Sequence, residues 1–231
     1  MFEWEWERAE GSLKRAIARD PSFTWAYQMY AVLLKREGRF DEAIEQLHRA
    51  KRIDPAATPP ANIDLGLLYV LKGDLERAAA AWQESLELHP DDYGIHRQLA
   101  VYACRTGDFK EGFRQLERVA ALAHDAERLL SDLGYCHALA GQREKAEEAL
   151  AKLGKAAEGL YIDPVHFALI HMALGDSERA FELLERALEI NASLLGEVPT
   201  DPRYDSIRSD PRYTEIVTGM GLEHLLPPPK G

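Results

Sequence analysis

Positive charge is in short supply in this chain: 28 Lys and Arg stand against 39 Asp and Glu, a formal net charge of −11. Nucleic-acid binding rests on neutralising phosphates with a surplus of Lys and Arg on one surface, so this balance argues against such a partner. Cysteine is scarcer still. Cys104 and Cys136 are the only two, too widely spaced for a zinc site and too few for a disulfide framework. They read as small apolar packing residues in a reducing compartment. Charges break every apolar stretch well short of the roughly 18 residues needed to cross a bilayer, so no membrane partner is expected. Glu3, Glu5, Glu7 and Glu10 occupy the first residues, unlike the basic start and apolar middle of a secretory signal. The expected location is cytoplasmic. No HExxH, CxxC, GxSxG or phosphate-cradling glycine loop occurs. His166 and His171 are five apart, which places them on different faces of a helix. The expectation is therefore no catalytic, cofactor-binding or metal-ligating residue and no enzyme activity.

What is present is a core-forming composition, 46% hydrophobic and 29% charged, and a strong internal period. Glycines 38, 73, 107, 141 and 175 are separated by 35, 34, 34 and 34 residues. Five residues after each comes a small residue: Ala43, Ala78, Gly112, Ala146, Ala180. Four further on comes a large apolar one: Leu47, Trp82, Leu116, Leu150, Leu184. Seven residues before each glycine stands another small residue: Ala31, Gly66, Ala100, Gly134, Ala168. Spacings of three and four between apolar positions, as in Leu65, Leu68 and Tyr69, predict two amphipathic helices per copy. The glycine ends the first helix, where a left-handed residue is cheapest as Gly. The small residues allow two helices to cross closely. Pro21, Pro55 and Pro90 end second helices. Strand signals are absent, so the fold class is all-α.

A period of 34 with Leu65-Gly66, Tyr69, Gly73, Leu75, Ala78, Trp82 and Pro90 resembles the tetratricopeptide repeat. Phe40 and Phe109 match the family's aromatic before the second helix, whereas Arg143 and Ser177 replace it later. The resemblance implies a right-handed superhelical α-solenoid of helix hairpins in a single domain, residues 1–231. Within it, 1–22 would be an N-terminal half repeat, 23–194 five full repeats, and 195–231 a capping segment and tail. It implies a scaffold that binds a protein or peptide along a concave groove lined by the first helices. Carried onto this sequence, that groove is Gln28, Val32 and Lys35; Ile63, Leu67 and Val70; Arg97, Val101, Cys104 and Arg105; Ser131 and Tyr135; Val165, Leu169 and Met172. The stripe is largely apolar, which suits an amphipathic helix or extended segment, and Arg97 and Arg105 are placed to orient an acidic ligand residue. The competing expectation is a groove filled from within, by tight curvature or by the tail after Leu222.

Both ends depart from the period. The half repeat presents Phe2, Trp4, Trp6 and Leu13, an aromatic edge that a solenoid end ordinarily avoids. Three readings remain: the edge docks on a partner or a second copy, giving a homodimer; upstream chain is missing; or the aromatics fold back on the first repeat. After Leu195 the run Asp201-Pro202-Arg203-Tyr204 recurs as Asp210-Pro211-Arg212-Tyr213. Asp then Pro is a helix-start signal, so two short helices should cap the last repeat with Ile207 and Ile216 inward. This segment, and the opening Trp4-Glu5-Trp6-Glu7, look like the ends of repeat arrays in bacterial signalling proteins. There such arrays follow winged-helix regulators, adenylate cyclases or serine/threonine kinases. Three functions therefore compete: an adaptor or regulatory module, a self-associating structural protein, or the non-catalytic part of a larger enzyme or transcription regulator.

Overall fold

A computed structural model describes residues 5–55, 59–122 and 126–226, with Pro59 and Pro60 described by their backbone alone. All regular structure in these residues is helical. The chain forms two compact units, residues 1–95 with 224–231, and residues 96–223. The first holds α1 (Trp6–Arg19), α2 (Thr24–Arg36), α3 (Phe40–Ile53), α4 (Pro59–Leu71) and α5 (Leu75–Leu88). Helix α6 (Tyr93–Arg105) begins at its end. The second holds the rest of α6, then α7 (Phe109–Leu122), α8 (Ala126–Leu139), α9 (Arg143–Ala157), α10 (Pro164–Ala173), α11 (Ser177–Glu189) and α12 (Pro211–Gly219).

Each hairpin turn follows one plan. The five periodic glycines have φ between +72° and +87°, where a side chain would be strained. The amide after each bonds to the carbonyl five residues back, as Asp74 does to Tyr69 (2.8 Å) and Asp176 to His171 (2.9 Å), the closure that satisfies a helix C-terminus. In three copies the residue after glycine is Asp. Asp74, Asp108 and Asp176 then accept from the amides of Arg77, Glu111 and Arg179, capping the next helix. After α11 the same closure is made without glycine: Asn191 has φ +51°, and Ala192 bonds back to Ala187.

The small residues sit where expected. Ala43, Ala78, Ala146 and Ala180 are at most 1% exposed. A Cβ on Gly66 would run into the Trp82 indole, and one on Gly134 would come within 2.5 Å of Ile170 Cδ1. In the first unit Tyr30, Leu34, Leu47, Leu65 and Leu68 form the core, and Trp6, Leu13 and Ile17 of α1 pack on it. Glu10 ties α1 down further. Its carboxylate accepts from Tyr30 Oη (2.6 Å) and pairs with Lys14 (2.9 Å) and Arg39 (3.0 Å). The Tyr30 hydroxyl, then Lys14, hold the Glu10 carboxyl down at a pKa of about 2.

The capping segment of the second unit forms a 3-10 turn at Leu195–Glu197, a second 3-10 stretch at Pro202–Ile207, and α12. Of the two short helices expected, only the second is α-helical. Ile207 and Ile216 point inward, 3% and 1% exposed. The repeated Asp-Pro-Arg-Tyr runs are local copies of each other. Asp201 and Asp210 each accept the amide two residues on and hold the side chain of that same arginine. Tyr204 and Tyr213 are buried at 2% each. Arg212 continues to Glu178 of α11 (2.9 Å) and lies 4.2 Å over the Phe181 ring, a cation held over a π face.

Candidate functional site

The wall formed by the first helices of the repeats differs between the two units. One register position, six residues before each glycine, shows the contrast. Val32 and Leu67 in the first unit are half-buried, whereas Val101, Tyr135 and Leu169 in the second are 8%, 4% and 3% exposed. Gln28 and Ile63, four residues earlier in the register, are also half-buried, while Val165 at the matching place is buried, as is Met172 further along α10. The wall of the first unit thus keeps an apolar stripe of Val32, Ile63 and Leu67 in reach of solvent. Lys35 and Asp64 (2.8 Å) form an ion pair on it.

What covers α8 and α10 is the strap between α11 and α12. Asp163 begins the seal: one carboxylate oxygen caps α10 through the Val165 amide (3.0 Å), and the other takes the Leu194 amide (3.1 Å). Asp132 on α8, 1% exposed, lies at the centre and pairs with Arg97 from α6 and with Arg203 from the strap (3.2 Å). Burial opposes the Arg203 charge, but Asp201 and Asp132 outweigh it and hold the guanidinium firmly protonated. Tyr204 follows Arg203 into the core, its hydroxyl donating to the Val165 carbonyl (3.4 Å). Burial also pushes the Tyr135 hydroxyl up to about 12. A shallow recess remains beside these residues, bounded by Arg128, Ser131, His166 and Glu197. It holds about 340 Å³ of empty space with open solvent included.

Two expectations are corrected here. Arg97 does not guide an acidic ligand, because its guanidinium already neutralises buried Asp132. Tyr135 and Leu169 are core residues of the second unit rather than an open groove. Residues 194–207 fill the wall of the second unit from within, and residues 227–231 of the tail lie outside the described residues. Leu222 is itself 1% exposed, and beyond it His224 meets the Glu37 carbonyl inside the first unit (3.0 Å). Arg105 is exposed. Of the aromatic edge, Trp6 and Leu13 pack on the first unit's core, and Phe2 and Trp4 lie outside the described residues. Three histidines make bonds that hold the fold: His96 bonds Gln115 (2.6 Å), and His137 and His171, at one register position, close their turns on Gln142 and Asp176. Cys104 and Cys136 are buried free thiols. Among the described residues no helix is long and apolar enough to cross a membrane.

Comparison with known proteins agrees with this geometry. Models of the family described as tetratricopeptide repeat match residues 5–62, 63–126 and 166–203. The chain belongs to the tetratricopeptide-repeat family. A curated relative, tetratricopeptide repeat protein 37 of Xenopus laevis, is 24% identical over 172 residues. That match covers 74% of this chain but only 10% of the relative, so the chain spans about a tenth of its length. Among solved structures, PilW, described as a widely conserved type IV pilus biogenesis factor, superposes with a TM-score of 0.57 at 21% identity, covering 88% of this chain and 90% of PilW. The Cut9–Hcn1 hetero-tetramer of the APC/C gives 0.62 at 15% identity, over 98% of this chain and 44% of that one. A tetratricopeptide repeat protein from Parabacteroides merdae gives 0.54 at 14% identity, over 95% and 93%. At these identities the likeness is one of fold, an all-α repeat solenoid. Within that fold, reading the sequence missed the acidic tetratricopeptide-repeat positions Asp132 and Asp163 as strap anchors. A signal was available: an Asp in the middle of a first helix, among Leu129, Leu130 and Leu133, and a downstream arginine occurring twice in the same tetrapeptide.

Proposed function

We propose that the chain is a protein-interaction module that holds a helix or extended segment of a partner against the first-helix wall of residues 1–95. The observation that carries this is the half-buried apolar stripe of Val32, Ile63 and Leu67, beside Gln28 and the Lys35–Asp64 pair, in a family built as a scaffold. Apolar side chains held by rigid helices and left partly in water gain, when a partner covers them, the remaining part of the roughly 1.5–3 kcal/mol that full burial of an exposed one gives, and helical spacing suits an amphipathic helix. The sequence resemblance of the chain's two ends to arrays in bacterial signalling proteins supports a regulatory or adaptor role within a larger assembly.

The test is site-specific photo-crosslinking from position 63 in the source cell. Leu67→Asp should abolish the crosslinked partner while tryptophan fluorescence shows an intact first unit. Undiminished crosslinking in that variant sinks the reading. Self-association through the aromatic start is tested separately by mass measurement across concentration.

A further inference from the structure

The strap is tethered at both ends by independent anchors. Upstream it leaves α11, whose Phe181, Leu184 and Ala187 are at most 1% exposed. Downstream, α12 is held by Arg212–Glu178 and by buried Tyr213, Ile216 and Val217. Between these, residues 194–207 contain only 3-10 turns, which carry fewer and poorer backbone bonds than α-helix. Arg203 on Asp132 is one charged tie of the strap to the wall; the Leu194 amide on the Asp163 carboxylate and the Tyr204 hydroxyl on the Val165 carbonyl are further ties. Asp132 and Arg97 are wall residues in their own right, so the wall keeps a paired carboxylate whether or not Arg203 is present. The strap side is self-contained as well: Asp201 shapes the turn and aligns the arginine, and Arg208 grips the Pro199 and Asp201 carbonyls and the Tyr213 hydroxyl. A preformed turn carrying a charged arginine and an aromatic, set against a first-helix wall with a buried carboxylate, has the composition of a ligand in its receptor.

We infer that residues 194–207 are an internal ligand that closes the α8–α10 wall, and that with the strap lifted this wall takes an arginine-bearing turn of a partner chain at Asp132. This rests on the reading that first-helix walls hold partner segments. It adds that the second unit carries such a wall in a latched state. Leu195, Val198, Tyr204 and Ile207 of the strap are at most 3% exposed, so opening uncovers this part of the core. Arg212 and Glu178 still join α12 to α11, and on this inference opening is a local event rather than global unfolding.

Hydrogen exchange on the full chain, with a synthetic peptide of residues 197–209 as probe, tests this. In the native chain the strap amides should exchange faster than those of α10 and α11, and the peptide should not bind. Arg203→Ala should speed strap exchange by about tenfold or more, the worth of a charge-assisted hydrogen bond, with α11 unchanged. That variant should also bind the peptide, and bind it at least about tenfold less well when the peptide itself carries Arg203→Ala. Arg203→Lys, which keeps the charge but lacks the guanidinium fork, gives the same changes at smaller amplitude and serves if the alanine variant does not fold. Strap amides that exchange in step with α10 in the native chain, or a loosened variant that ignores the peptide or binds both forms equally, would falsify the internal-ligand inference. Neither result touches crosslinking from position 63, so the two readings fail separately.

Discussion

Leu67 and Leu169 occupy the same register position in the second and fifth full copies, six residues before the turn glycine, yet Leu67 is half-buried and Leu169 is 3% exposed. Their own helices do not explain the difference, since both follow one turn plan and one packing plan. The neighbours do. Leu169 lines the recess beneath the strap with Asp132, Arg203 and Tyr204, whereas the wall around Leu67 keeps Val32 and Ile63 half-buried beside it. A repeat therefore specifies where a side chain sits and which way it faces. Whether that face meets water, a partner or the chain itself depends on residues far away in sequence, such as Arg203, 71 positions from Asp132.

The largest expected break in this comparison is electrostatic. Asp132→Asn leaves Arg97 without its buried counter-charge and Arg203 with Asp201 alone, and should cost about 3–5 kcal/mol, the penalty for breaking a buried pair from one side. Asp64→Asn disrupts the Lys35 pair on the first wall, where water reaches both groups, and should cost about 1 kcal/mol or less. All four tryptophans, residues 4, 6, 25 and 82, lie in the first unit's sequence. Urea unfolding followed by fluorescence and by far-UV circular dichroism therefore separates the units. Equal losses from the two substitutions would remove the distinction between the walls.

Next in size, Leu169→Ala should destabilise the second unit by about 3 kcal/mol, a typical cost for a buried leucine. Leu67→Ala should cost about 1 kcal/mol or less in stability while weakening partner capture. A reversed order would mean the wrong wall has been identified as open. Gly66→Ala tests the packing plan common to both units. Its Cβ must displace the Trp82 indole, an overpacking cost of about 1–3 kcal/mol, seen as a shift in tryptophan emission and in the urea midpoint.

A further contrast is a pH dependence from Glu10 in the first unit. The folded pKa of Glu10, about 2, lies below its ordinary 4.5. Its contribution is therefore complete above pH 4.5 and is lost as pH falls toward 2. Glu10→Gln should flatten that part of the fluorescence-detected stability curve and leave the second unit's curve unchanged.

The hairpins were legible because each rests on a local necessity. Gly73 with φ +76°, Asp74 capping α5 and Gly66 under Trp82 are each satisfied within one repeat, so period and residue type reveal them. Ile207 and Ile216 could be read as inward for the same reason. The aromatic start was less legible: Trp6 and Leu13 could equally have covered a partner, and only their packing on the core cluster of the first unit places them.

By itself, then, the sequence determined the all-α repeat, the turn positions, the small crossing residues and the family. These follow from backbone conformation and helix periodicity, which act over a few residues. Only the tertiary structure decided which wall is covered. Asp132, Arg97 and Arg203 are individually unremarkable charges, and their meeting depends on where the strap comes to lie after α11 has turned through Asn191. Long-range ion pairing leaves no period in a sequence, because it is set by chain geometry and not by local spacing.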